Sequence, residues 1–171
     1  MLLAYEAIEG RSLDLIEADE LTDEVLTEIW VQVAILREHG IAHRDLRLAN
    51  VFLDQGGVPW IIDFGFSELS ASELLLSNDI AELITSSALL VGPERAVRNA
   101  AEALGESAVS NAASRVQPQA LSGATKTKLR MRGDHIDRDV RDEIASMTGQ
   151  AVAPLDRVHR IDPTRRIRNH G

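Results

Sequence analysis

Asp45, Asn50 and Asp63 each stand at the edge of a short apolar or β-branched run: Asp45 after 41–43, Asn50 before 51–53, Asp63 after 60–62. Gln55-Gly56-Gly57 lies between the last two runs and reads as a hairpin turn. Paired strands return the chain to where it started, so a hairpin brings Asn50 and Asp63 together at its open end, with Asp45 beside them. Two carboxylates and an amide are hard oxygen ligands suited to magnesium and, through it, to phosphate oxygens. Phosphoryl transfer needs such a set. One carboxylate accepts the hydroxyl proton, and an acid plus an amide hold the metal. The competing reading makes the same three residues turn and cap formers, because Asp and Asn favour local hydrogen bonds at such places.

The elements that must position this set are legible upstream and downstream. Thr22 is an N-cap signal, and 23–39 places Leu26, Ile29, Trp30, Val33 and Leu36 at helical spacing, with Gly40 as the stop. The Trp30 stripe reads as core packing. Glu9-Gly10-Arg11-Ser12 reads as a turn after an apolar strand at 2–7. Beyond Ser77 the pattern turns helical: 79–90 suits a buried helix and 93–104 an Ala-rich amphipathic one. Residues 105–127, rich in Ser, Ala, Gln, Gly and Thr, read as a weak helix loosening into a linker, and 139–147 as one more short helix.

Composition narrows the classes. The 171 residues fit one domain or a lobe plus a tail, and the absence of cysteine excludes disulfides and thiolate metal sites and favours the cytoplasm. The net charge of −9 argues against a nucleic-acid partner. That charge is uneven: 1–125 hold 7 Lys/Arg against 20 Asp/Glu, and 126–171 hold 11 against 7. The division is therefore a lobe over 1–125 and a basic, partly disordered extension over 126–171. Acids within the first 20 residues break any signal-peptide pattern, and apolar stretches such as 86–92 are far shorter than a bilayer span.

His43-Arg44-Asp45-Leu46-Arg47-Leu48-Ala49-Asn50 resembles the His-Arg-Asp catalytic loop of the protein-kinase superfamily with its downstream Asn, and Asp63-Phe64-Gly65 resembles its Asp-Phe-Gly motif. The resemblance implies a kinase-like C-terminal lobe, mainly α (α+β), whose small β-hairpin carries both motifs. It implies a phosphotransferase using ATP and Mg2+, with Asp45 as catalytic base and Asn50 and Asp63 as metal ligands. Arg47 stands where many kinases have a phosphate-contacting lysine. Residues 3–7 resemble the hinge, which assigns Glu6 and Ala7 to the nucleotide. His43, Arg44, Phe64 and Gly65 take structural roles, and Asp79 resembles the buried acid that braces the loop; as a helix N-cap it reads equally well.

Departures from the pattern shape the expectation. The chain shows no Gly-rich phosphate loop, no strand lysine and no partner glutamate, so the expected unit is a C-lobe whose N-lobe is supplied elsewhere, inactive alone. A pseudokinase or regulatory nucleotide-binding module is the alternative. Only 14 positions separate Gly65 from Asp79, and no Ala-Pro-Glu motif follows, which is similar to the compact small-molecule kinases rather than to regulated Ser/Thr kinases. The stretch 79–92 with the basic tail resembles the cytoplasmic kinase-like part of certain actinobacterial membrane proteins. That likeness implies a membrane domain as partner and a place at the inner face of the membrane. The phosphate acceptor stays open.

Overall fold

The computed structural model describes residues 9–152 together with 154 and 155. The expected strand at 2–7, the hinge residues Glu6 and Ala7, and the tail from residue 156 lie outside the described residues.

A three-stranded antiparallel sheet and a set of helices share one core. Strand β1 (Gly10–Ser12) pairs with β2 (Val51–Asp54), which pairs with β3 (Pro59–Ile61). Residues 9–12 were expected as a turn; instead Gly10 lies opposite Asp54 in the sheet. The reason Gly occupies that place is steric. A Cβ at Gly10 would sit 2.3 Å from the Leu53 carbonyl oxygen, so only a bare Cα lets the two backbones approach. Gly10→Ala is therefore expected to cost about 1–3 kcal/mol of stability, as overpacking does elsewhere. A urea midpoint unchanged from wild type would contradict this.

The hairpin turn is built by Asp54. Its Oδ1 accepts the N–H groups of Gly56 (2.8 Å) and Val58 (2.9 Å), and its Oδ2 accepts the Trp60 indole N–H (2.9 Å). The indole bond is the main cause that holds the Asp54 carboxyl below the usual carboxylate range, with the turn amides adding to it. Gly57 supplies the positive φ of 80° that the turn requires.

Helix α1 (Asp23–Glu38) begins as the sequence signals: Thr22 Oγ1 accepts the Val25 N–H at 3.3 Å, and Gly40 leaves the helix with φ 65°. It buries Leu26, Ile29, Trp30 and Val33. Its Gln32 reaches the outer edge of β3, donating to the Pro59 carbonyl at 2.7 Å and accepting from the Ile61 N–H at 3.4 Å. Sheet and helix are thereby locked together.

Helix α2 (Glu73–Val91) is the axis of the molecule, with Leu76, Ile80, Leu83, Ile84 and Ala88 all buried. It starts a turn and a half earlier than the apolar pattern suggests, because Ser72 caps it through the Leu75 N–H at 3.4 Å. Its 19 residues also make a longer apolar helix than the sequence pattern suggests. Among the described residues this one helix is long and apolar enough to cross a membrane, and 61% of the relevant window is buried inside the fold, as in a core helix.

Helices α3 (Pro93–Leu104), α4 (Glu106–Ala112), α5 (Gly123–Arg132) and α6 (Ile136–Thr148) pack around α2. Arg95 of α3 reaches Asp23 Oδ1 at 2.6 Å and the Leu21 carbonyl, tying α3 to the start of α1. The linker expected up to residue 127 is shorter than foreseen. Helix α5 runs through the expected boundary at 125, and α6 buries Ile136, Val140 and Ile144 in the common core.

Candidate active site

The loop from His43 to Asn50 is held from below by α2. Asp79, 6% exposed, accepts the His43 N–H on Oδ2 at 2.6 Å and the Arg44 N–H on Oδ1 at 2.8 Å. Asp79 lies well inside α2, and the cap of that helix is Ser72, so the N-cap alternative is not what the chain uses. Burial holds the Asp79 carboxyl above its usual range, against the downward pull of the two amide donors. Further along α2, Ser86 Oγ accepts the Leu48 N–H at 3.2 Å. From the other side, the Ser12 hydroxyl meets the Ala49 carbonyl at 2.9 Å.

His43 is fully buried and its two ring nitrogens have different tasks. Nδ1 accepts the Asp45 N–H at 3.2 Å, so the proton sits on Nε2, which donates to the Ile62 carbonyl at 2.7 Å. One imidazole thus joins the start of the loop to the residue before Asp63. Phe64 packs edge-on against the same ring, centroids 4.8 Å apart.

Asp45 and Asn50 are in direct contact. The Asn50 amide donates to the Asp45 carbonyl and to its Oδ2, both at 2.8 Å, and Arg47 Nε donates to Asp45 Oδ1 at 2.9 Å. The Asp45 carboxylate pushes the Arg47 guanidinium further above its ordinary range, with Glu82 and Asp14 adding to the effect. Asp63 joins the pair through the backbone: Ile62 donates to the Asn50 carbonyl at 3.0 Å, continuing the β2–β3 ladder one step past Val51 and Ile61. Asp63 follows immediately, with φ 63° and ψ 61°, and its carboxylate makes no cap bond. Gly65 is exposed, and a Cβ there would meet Asp63 Oδ1 at 3.5 Å, ordinary van der Waals contact.

Two non-glycine residues of the motifs, Arg44 (φ 69°) and Asp63, therefore occupy the left-handed region, each at a cost of about 1–2 kcal/mol. Arg44 is kept there by its amide bond to Asp79, with its side chain 3.4 Å from Glu68. Residues 42 and 68 form an isolated antiparallel bridge that closes the segment after Asp63 onto the segment before the loop.

By type, the oxygen donors left unspent suit a hard divalent cation. Asn50 spends its NH2 on Asp45, which leaves Oδ1 as an oxygen ligand, and the Asp63 carboxylate carries no bond among the described residues. Also among the described residues, no group of three or more His, Cys, Asp or Glu side chains is placed to hold a metal. Few protein ligands with the rest from water and phosphate oxygens is the usual pattern for magnesium, not for zinc or calcium cages.

Sequence reasoning missed Glu82, 7% exposed on α2. It accepts the Ser122 N–H (2.9 Å) and hydroxyl (2.7 Å), and the Thr125 hydroxyl, so it fixes the start of α5 next to the loop. The signal was available: a carboxylate three positions after Asp79 shares its helix face, in an otherwise apolar run.

Comparison with known proteins agrees with the geometry. Residues 2–71 match the profile of the family described as Phosphotransferase enzyme family. The chain is similar to MAP kinase kinase kinase SSK2 of Saccharomyces cerevisiae, 37% identical over 73 residues, covering 39% of this chain and 5% of that protein. It is also similar to Serine/threonine-protein kinases drp72 of Corynebacterium efficiens, 29% identical over 100 residues, covering 55% of this chain and 19% of that protein. A third relative, Mitogen-activated protein kinase kinase kinase 4 of Mus musculus, is 48% identical over 40 residues, covering 23% of this chain and 2% of that protein. The chain thus spans a fifth or less of the length of these relatives. With the loop, the hairpin and the braced helix in the arrangement described, these matches support a protein-kinase-like fold and a likeness to kinase-type phosphotransferases over this part of the chain.

Proposed function

We propose that this segment serves ATP- and Mg2+-dependent phosphoryl transfer to a small hydroxyl acceptor. The observation that carries the reading is the Asp45–Asn50 contact, with Asp63 brought to the end of the same ladder. Asp45 orients the acceptor hydroxyl and takes its proton as the new O–P bond forms; the bond from the γ-phosphorus to the bridging oxygen breaks, and ADP leaves. Asn50 Oδ1 and the Asp63 carboxylate are the residues that hold magnesium, which supplies charge neutralisation on the phosphates when bound. Arg47 aims Asp45, since its Nε is committed to Asp45 Oδ1.

Positioning and charge stabilisation are nearly all the catalysis that such a transfer requires. Nucleotide binding is therefore the first test. Thermal shift with ATP, with and without magnesium, is expected to show stabilisation that depends on the metal in the chain or in a version extended upstream. Asp63→Ala should abolish the magnesium-dependent part in the same form of the protein. Magnesium-dependent stabilisation that survives intact in Asp63→Ala overturns the ligand assignment, and no stabilisation of either form points away from nucleotide.

A further inference from the structure

Two cavities flank the loop, and their charges differ in sign. One, of about 240 Å³, is lined by Arg44, Asp45, Asp79 and Glu82, three acids to one base. The other, of about 210 Å³, lies across Arg47 between the loop, α2 and α5. Its charged lining is Arg47, Lys128 and Asp14, two bases to one acid, over an apolar floor that includes Leu48, Leu89 and Leu90. At about 30 Å³ per water, it has room for roughly seven waters, the size of a small organic anion.

The donors facing this second cavity are only partly used. Arg47 spends Nε on Asp45, and no bond among the described residues uses its two terminal nitrogens. Lys128 Nζ is 3.5 Å from Asp14 Oδ2, too long for a strong charge-assisted bond, and the Lys128 side chain is 51% exposed. Asp14 meanwhile takes a short bond from the Ser12 hydroxyl at 2.6 Å on its other oxygen. The cavity therefore presents free guanidinium donors on one wall and a loosely held ammonium on the other.

We infer that this cavity is a subsite for the acid group of a small hydroxylated anion, gripped between Arg47 and Lys128 with its carbon chain on Leu48, Leu89 and Leu90. Arg47 links the anion to Asp45, which lines the neighbouring cavity, so an acceptor anchored there has the base on the far side of one guanidinium. The role as an acceptor anchor rests on the phosphotransferase reading; the anion site itself does not.

The test is titration of the full chain, without nucleotide or magnesium, with glycerol 3-phosphate, glycerol and ethanolamine, followed by amide chemical shifts. Glycerol 3-phosphate is expected to move the amides of Ala124, Thr125 and Lys128 saturably, and the two other compounds are not. Lys128→Glu should weaken this binding at least about tenfold, a change of about 1.4 kcal/mol. Lys128→Gln should weaken it less. Asp14→Asn should tighten it by releasing Lys128, a gain that loss of folding cannot produce. Absence of saturable shifts at these amides in wild type, equal affinity in Lys128→Glu, or preference for ethanolamine overturns the inference. The thermal shift with magnesium and ATP reads the other site, so failure of the nucleotide reading and failure of the anion site are distinguishable.

Discussion

Asp45→Asn is expected to slow phosphoryl transfer by about 10²- to 10⁴-fold, the range that a positioned general base contributes. Asp45 binds Arg47 Nε with one oxygen and the Asn50 amide with the other. An asparagine can keep one of those bonds through its carbonyl, but its NH2 then faces a donor, so stability should fall by about 1 kcal/mol and the fold should persist. Transfer from ATP in the presence of magnesium, measured on the chain and on a version extended upstream, is the check, with circular dichroism to show that the variant is folded. Wild-type turnover in a folded Asp45→Asn protein would sink the assignment of the base.

Replacing Asp79 has a different signature because it acts through the backbone of the loop. Asp79→Ala strands the N–H groups of His43 and Arg44, which both lose their acceptor inside the protein. The cost should be about 1–3 kcal/mol, the penalty for one buried donor left unsatisfied together with a part-buried one that water can reach. Arg44 also loses the bond that keeps it in the left-handed region, so turnover should fall together with stability. Asp79→Asn retains one acceptor and should recover part of both.

The stability gap between wild type and Asp79→Asn depends on pH. The Asp79 carboxyl in the folded chain is held above its usual value, chiefly by burial. Between the ordinary carboxylate value and the raised one, the folded state holds more proton than the unfolded state. The stability contributed by Asp79 is therefore full below the ordinary value and declines as pH rises towards the folded value. Asparagine does not titrate, so the gap should narrow as pH rises through that window. Urea melts at a series of pH values measure it, and a gap that widens would refute the direction.

What could be read in the sequence was local in origin. The cap at Thr22, the stop at Gly40 and the Gln55-Gly56-Gly57 turn all act within a few residues, and each element they delimit is present. The nearness of Asp45, Asn50 and the residue before Asp63 was legible for the same reason, since one loop and the hairpin that follows it bring them together. Two features were not legible because their cause lies far away in the chain. Strand β1 exists because Gly10 can approach Leu53, 43 positions later. Helix α5 has little apolar pattern of its own, burying only Thr125 and Leu129, and its start is anchored by Glu82 from 40 positions upstream. Asp79 was ambiguous because both roles require the same side chain; only its depth in α2 separates them.

The Gln32 side chain has a further consequence for how copies of this chain meet. On the outer side of β3, the carbonyl of Pro59 and the N–H of Ile61 are taken by the two ends of one amide, and Pro59 has no N–H to offer. A helix side chain stands in for a fourth strand. A neighbouring molecule that tries to zip onto this border finds its ladder already filled, which guards the β3 side of the small sheet against edge-to-edge pairing.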